Sequence, residues 1–437
     1  MKIPANDEST PIVPKEGWSR RDILLTIFLM CSRFGESIEI YLPGVITQQV
    51  SCELGVSHLQ EGLLGIILYF TYALAICVSG NLSNRFGRRL IMLIALYTSI
   101  LFTVVCAIVP NYYTLLLSRA LTGLCLGLSS TIFGVYFSES VSSRKAYKIG
   151  ISLGSFCSPL GGGWVALLGY AVLEWIGWRP FIVITSIPFL LPPLIMLQCC
   201  LEDSVPGRSN VACTEGENMT PSTVENFRWR VVRTASAAFI STLQGYGAIL
   251  LLPALIRKNN EDLDMMGKEV ILGEQLTKYH FTGPSEDVQC SNTVHGSQLL
   301  LIALVTGVAN FLGRVAGYLI SGNGRFRTVQ SILAVIITVS YGLLVLGSGQ
   351  VITIAAMGIA KFIFAMMCLE INFISYNADY FGSEKLATAS AITWAVGMCG
   401  AVVGNVFATF IRPYEAVVIT FVFSFIQIGV VSSFNDI

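Results

Sequence analysis

Gly80-Asn81-Leu82-Ser83-Asn84-Arg85-Phe86-Gly87-Arg88-Arg89 lies between two long apolar runs. Its two glycines permit a tight turn, and its three arginines hold that turn at a membrane surface. A degraded copy follows 237 residues later, with Gly317, Leu319, Gly324 and Arg325 in the places of Gly80, Leu82, Gly87 and Arg88. A basic turn repeated at that distance predicts two related halves, each carrying the turn after its second membrane helix.

Composition points the same way. Charged residues are 12% of the 437, against roughly 25% in soluble domains. Hydrophobic residues reach 54% and mean hydropathy is +0.68, more apolar surface than a soluble protein of this length can hide. A spanning helix needs about 20 predominantly apolar residues, and the long apolar runs supply twelve. The predicted spans lie near 23–47, 60–80, 90–109, 113–138, 148–171, 179–199, 234–256, 297–320, 328–348, 351–377, 386–410 and 414–433. Pro110-Asn111 and Gly347-Ser348-Gly349 split runs long enough for two spans. The fold class is therefore all-α and membrane-spanning, with twelve transmembrane helices in two pseudo-symmetric six-helix bundles.

Basic residues set the orientation. Lys15, Arg20, Arg21, Arg85, Arg88, Arg89, Arg144, Lys145, Arg228, Arg230, Arg325 and Arg327 fall in segments that share one side, whereas the short loops opposite hold only Arg179 and Arg412. The positive-inside rule then places both termini in the cytoplasm. The expected organisation is a cytoplasmic tail (1–22), a first bundle (23–201), a polar cytoplasmic linker (202–228) and a second bundle (229–433) with a long outer loop (257–295). Residues 434–437 form a cytoplasmic end. Cys52 and Cys290 both fall on the outer side, where pairing is one option. Net charge is zero, which gives no reason to expect nucleic acid.

The first turn, G-x-L-x-N-R-x-G-R-R, resembles the loop motif of the major facilitator superfamily. Arg119-Ala120-Leu121-Thr122-Gly123 resembles its helix 4 pattern, and Tyr136 with Glu139 resembles the end of that helix. Leu201-Glu202-Asp203-Ser204-Val205-Pro206 resembles the signature after helix 6, and Tyr376-Asn377-Ala378-Asp379 the end of helix 10. Tyr136/Glu139 and Tyr376/Asp379 stand 240 residues apart, a second trace of the repeat. Within the superfamily the chain looks most like the synaptic vesicle glycoprotein two and synaptic vesicle two-related group, next to the organic cation and anion transporters. Glu36 and Glu39 on helix 1, Cys52 beyond it, Tyr246-Gly247 in helix 7 and the long loop between helices 7 and 8 carry that likeness. Asn84 stands where the family's loop motif has an acid, and Ser321-Gly322 stand in its second copy. Helix 11 has no charge, which argues against a strongly charge-selective organic ion carrier.

Charges inside the bilayer are the candidate functional residues, because each costs about 2.5 kcal/mol or more at the bilayer centre. Arg33, Glu36 and Glu39 share one face of helix 1, and the i,i+3 step lets Arg33 pair with Glu36. Glu39 is left to bind a proton, a cationic group or a partner helix, and two carboxylates this close suit proton coupling. A static buried network is the alternative. Arg119 is expected to pair with Glu36 or Glu39, or to bond backbone carbonyls. Lys361 and Glu370 point in opposite directions around helix 10, so one is expected to pair with a neighbouring helix and the other to line the route. Arg314, near the inner end of helix 8, reads as a snorkelling structural residue. Tyr41, Tyr69, Tyr246, Tyr376 and Trp394 are aromatic candidates for the route, and Asn377 is a polar one. Gly80, Asn84, Arg85, Gly87, Arg88 and Arg89 form the candidate gating turn.

His58, His280 and His295 lack metal-ligand spacing, and no phosphate loop of a primary ATP-driven pump is present, so neither cofactor nor metal is expected. Internal repeats in an apolar chain mark many secondary transporters. The resemblance implies a carrier, not an enzyme. It would move a small organic solute by alternating access, with a proton as one coupling ion, as a monomer in a plasma or vesicle membrane. The other reading is a membrane protein that binds partners through 257–295 and transports little.

Overall fold

The computed structural model describes residues 19–203, 227–246, 307–320, 326–346, 350–376, 378–381 and 385–433. Six helices build the first bundle: α1 (Arg20–Leu54), α2 (His58–Phe86), α3 (Arg88–Ile108), α4 (Tyr112–Ser140), α5 (Arg144–Ile176) and α6 (Trp178–Cys199). The second bundle contains α7 (227–246), α8 (Asn310–Ile320), α9 (Phe326–Leu346), α10 (Gln350–Ser375), α11 (Leu386–Phe410) and α12 (Pro413–Ser432). One helical turn, Ala378–Phe381, follows α10. The segment 257–295, Cys290 and the turn copy around Gly324 lie outside the described residues.

Local sequence explains where the helices start. Ser19 and Asp22 form a capping box on α1, and Ser57 and Gln60 form one on α2. Asn111, next to Pro110, accepts from the Thr114 amide and caps α4. Gly87 joins α2 to α3 with φ +93°, a conformation that a side chain would strain.

Among the described residues nine helices, α2–α6 and α9–α12, are long and apolar enough to cross a membrane. α1 is longer still but carries Arg33, Glu36 and Glu39. Leu90, Ile94, Tyr97, Leu101, Val104 and Ile108 run along one exposed face of α3 at helical spacing. Ile332, Val335, Val339, Leu343 and Leu346 do the same on α9. Water would not tolerate such continuous apolar stripes, so these faces meet lipid.

Within the first bundle α2 packs on α4, α1 on α5 and α6, and α3 on α4 and α6. Within the second, α8 and α9 pack on α10, and α9 on α12. Gly123 and Gly127 let α4 approach the α2 backbone, where a Cβ would collide with the carbonyl oxygens of Leu68 and Tyr72. Among the described residues the halves meet chiefly where α2 packs on α11 and α5 on α8, with smaller contacts of α4 on α11 and α5 on α10. The first contact runs from Gly62 opposite Thr409 to Gly80 opposite Ala387 and Ala391. The second runs from Gly163 against Gly307 to the Phe156–Tyr318 ring contact. At the end that carries the Gly80–Arg89 turn, Tyr376 and Ala387 join the apolar cluster of Phe28, Phe133 and Tyr136.

Candidate functional site

Helix α1 brings its three charges to the centre of the molecule, and each finds a different fate. Arg33 Nη1 donates to Glu36 Oε2 at 2.9 Å and to Ser130 Oγ on α4 at 3.0 Å. Its Nη2 donates to the Tyr376 hydroxyl at 3.1 Å, a bond from the first bundle to the second. The Tyr72 hydroxyl on α2 donates to the other oxygen of Glu36. One turn on, Glu39 is fully buried. It accepts from Arg119 Nη1 at 2.9 Å and from the Thr103 hydroxyl at 2.8 Å. Arg119 is buried as deeply, and its Nε and Nη2 find no hydrogen-bond partner among the described residues.

A cavity with about 70 Å³ open to water-sized molecules lies between the bundles. The first bundle lines it with Arg33 and Glu36 of α1, Tyr72 of α2, Ser130 of α4 and Ser155 of α5. The second adds Tyr246 of α7, Arg314 of α8, Asn372 and Tyr376 at the end of α10, and Trp394 and Met398 of α11. Asn372 Nδ2 donates to Ser155 Oγ at 3.2 Å, a second bond between the halves, and Trp394 Nε1 donates to Ser375 Oγ at 3.2 Å.

Of the residues singled out by sequence, Arg33, Glu36, Tyr246, Tyr376 and Trp394 meet in this cavity. Glu39 and Arg119 form a closed pair outside its lining. Lys361 and Glu370 do not line it either: both are buried, and Lys361 Nζ turns to the Gly245 carbonyl and the Phe364 ring. The lining part of α10 is its end, Asn372 and Tyr376, which begins two residues beyond Glu370 and about three turns beyond Lys361. Tyr41 and Tyr69 sit in the packing of α1, α2 and α11, and the Tyr69 ring stands 5.4 Å from that of Tyr246. Asn377 lies outside the described residues. Arg314 corrects an expectation, for it does not snorkel to the surface. It is 7% exposed and lines the cavity, with Nε 3.5 Å from Asn310 Oδ1. Only its place near a helix end had spoken for the surface, and the helix ends at Ile320, more than one turn further on.

The turn is tied down from several sides. Arg88, 2% exposed, grips Glu139 with Nε at 2.9 Å and Nη2 at 2.8 Å, and Nη1 donates to Asn84 Oδ1 at 2.6 Å. Glu139 thus supplies the negative charge that Asn84 lacks. Arg89 donates to the carbonyls of Leu197 at 3.0 Å and Gln198 at 2.8 Å, and its amide donates to Asp203. Arg85 stands over the Phe86 ring at 5.5 Å, and Gly80 meets the α11 backbone at Ala387.

Two helical bundles with lipid-facing stripes and a polar cavity lined from both sides define a multi-pass integral membrane protein with transporter architecture. The chain belongs to the Major Facilitator Superfamily, whose sequence model matches residues 25–405. It is 27% identical over 172 residues to the putative transporter svop-1 of Caenorhabditis elegans, 39% of this chain and 33% of that one. It is 28% identical over 164 residues to human synaptic vesicle glycoprotein 2A, 37% of this chain and 22% of that one. The gentisate transporter of Corynebacterium glutamicum is 25% identical over 228 residues, 51% of each chain. The chain thus spans between a fifth and about half the length of these curated relatives. The human organic anion transporter MFSD10 (TETRAN) shares the fold, with a TM-score of 0.69 at 13% identity over 94% of this chain and 100% of that one.

Proposed function

We propose that this protein is a secondary carrier that moves a small organic solute across its membrane by rocking the two bundles about the central cavity. One observation carries the reading: the cavity takes its polar lining from both halves, and hydrogen bonds join those halves at its edge. Arg33–Tyr376 and Ser155–Asn372 are such bonds. A site built this way is completed by closure and opened by separation. The gentisate and organic anion carriers among its relatives support an organic solute, as does the mixture of arginine, hydroxyl and aromatic groups in the lining. The basic residues of the Gly80–Arg89 turn support a cytoplasmic position for that end, with Arg88–Glu139 fixing the turn to α4 of the same bundle.

Glu36 is the carboxylate positioned for coupling to a proton, because it lines the cavity whereas Glu39 is closed off with Arg119. Purified protein in liposomes should take up labelled organic solutes from a panel, and unlabelled solute trapped inside should accelerate entry by exchange. An imposed pH gradient separates coupled from facilitative transport. Liposomes that exchange no solute of the panel faster than protein-free ones would leave the fold without this function.

A further inference from the structure

Arg314 has no role in the closure just described, yet it is the cavity's other full charge. Arg33, Glu36 and Arg314 are the charged groups of the lining. Arg33 and Glu36 neutralise each other at 2.9 Å, and Glu36 is further saturated by Tyr72. Arg314 forms no ion pair among the described residues. Its one hydrogen bond there is the 3.5 Å contact to Asn310. Among the described residues, Tyr41, Tyr246, Cys157 and Cys368 are titratable groups near it. None supplies a carboxylate.

Resting on the carrier reading above, we infer that the transported solute is a small organic monoanion whose acidic group binds the Arg314 guanidinium. A buried arginine without a counter-charge is held at a large desolvation cost, and a ligand that brings the missing charge recovers it. Arg also offers a planar fork that fits a carboxylate with two parallel hydrogen bonds. Around it, Tyr246, Trp394 and Met398 give an apolar, partly aromatic wall for the rest of the solute. Among the described lining residues no carboxylate is free for an organic cation, since Glu36 is occupied on both oxygens. The absence of charge on α11 therefore does not make the site charge-blind, because α8 carries the discriminating charge instead.

The test is binding to full-length protein in nanodiscs, with ring carboxylates headed by benzoate, their neutral amides headed by benzamide, and benzylamine as the cation. Wild-type protein should bind at least one carboxylate more tightly than its amide and the amine not at all. Arg314→Gln should weaken carboxylate binding by roughly 30-fold or more and amide binding far less, so that the carboxylate preference collapses. Arg314→Lys, which keeps the charge but not the fork, should fall between. The wild-type preference stands on its own if Arg314→Gln fails to fold. Equal binding of carboxylates and amides, a preference for benzylamine, or carboxylate binding that Arg314→Gln leaves intact would overturn the assignment. Flux of a neutral solute unaffected by Arg314→Gln would sink this inference and spare the carrier reading. Arg314-dependent binding without flux would do the reverse.

Discussion

The two bundles share an architecture but treat buried charge in opposite ways. The first closes its charges into pairs, Arg33–Glu36, Arg119–Glu39 and Arg88–Glu139, each at 2.8 to 2.9 Å. The second buries Glu370, Arg314 and Lys361, and neither of these two cations forms an ion pair among the described residues. Lys361 rests on the Gly245 carbonyl, and Arg314 faces the cavity. A paired charge holds helices in register, whereas a charge left without its partner is available to a ligand. Under the proposal above, the first half is the framework against which the second half reads the solute.

The largest break in that contrast comes from Arg119. Arg119→Leu leaves Glu39 charged and unpaired where solvent does not reach, and should cost about 3–5 kcal/mol of stability. Thermal unfolding in detergent should show a fall of many degrees, and Glu39→Gln combined with Arg119→Leu should recover most of it. A single variant as stable as wild type would mean the pair is not a structural tie.

The carboxylates of α1 sharpen the comparison next. Glu36→Gln should abolish accumulation driven by a pH gradient and keep solute exchange, because the cavity retains its shape but loses the group that takes the proton. Glu39→Gln should keep the pH dependence and chiefly lower stability. The opposite pattern would return the coupling role to Glu39.

Tyr376→Phe removes one hydrogen bond between the halves, worth about 1 kcal/mol. It should raise the accessibility of the cavity from the Gly80–Arg89 end to a thiol reagent at an introduced Ser130→Cys by a few-fold. An unchanged labelling rate would detach Arg33–Tyr376 from closure. Lys361→Met should do least, because it removes a buried charge without orphaning another. A stability change under about 1 kcal/mol is expected from the same unfolding measurement. A loss as large as that of Arg119→Leu would erase the distinction between the halves.

The sequence made the helices legible because a bilayer imposes length and apolarity, and the Gly80–Arg89 turn with its copy made the halves legible. The Arg33–Glu36 pair followed from a local rule, the i,i+3 step. The partner of Glu39 did not, for Arg119 and Thr103 lie 80 and 64 residues away and only packing brings them together. Asn84 read as a missing charge, yet the carboxylate needed by Arg88 comes from Glu139 at the end of α4. Arg314 was hidden for a different reason. Position along a helix says how far a side chain stands from the membrane surface, but only the neighbouring helices decide whether it turns outward or to the cavity.

The account rests on movement of one half against the other, and α2 against α11 is where that movement is most directly arrested. A Cβ on Gly80 would stand 3.4 Å from Ala391 Cβ, close to disulfide geometry. Gly80→Cys with Ala391→Cys, reconstituted in liposomes, should exchange solute when reduced, stop when oxidised and resume on re-reduction, while each single variant ignores the oxidant. Undiminished exchange by fully cross-linked protein would contradict a carrier that works by separating its two bundles.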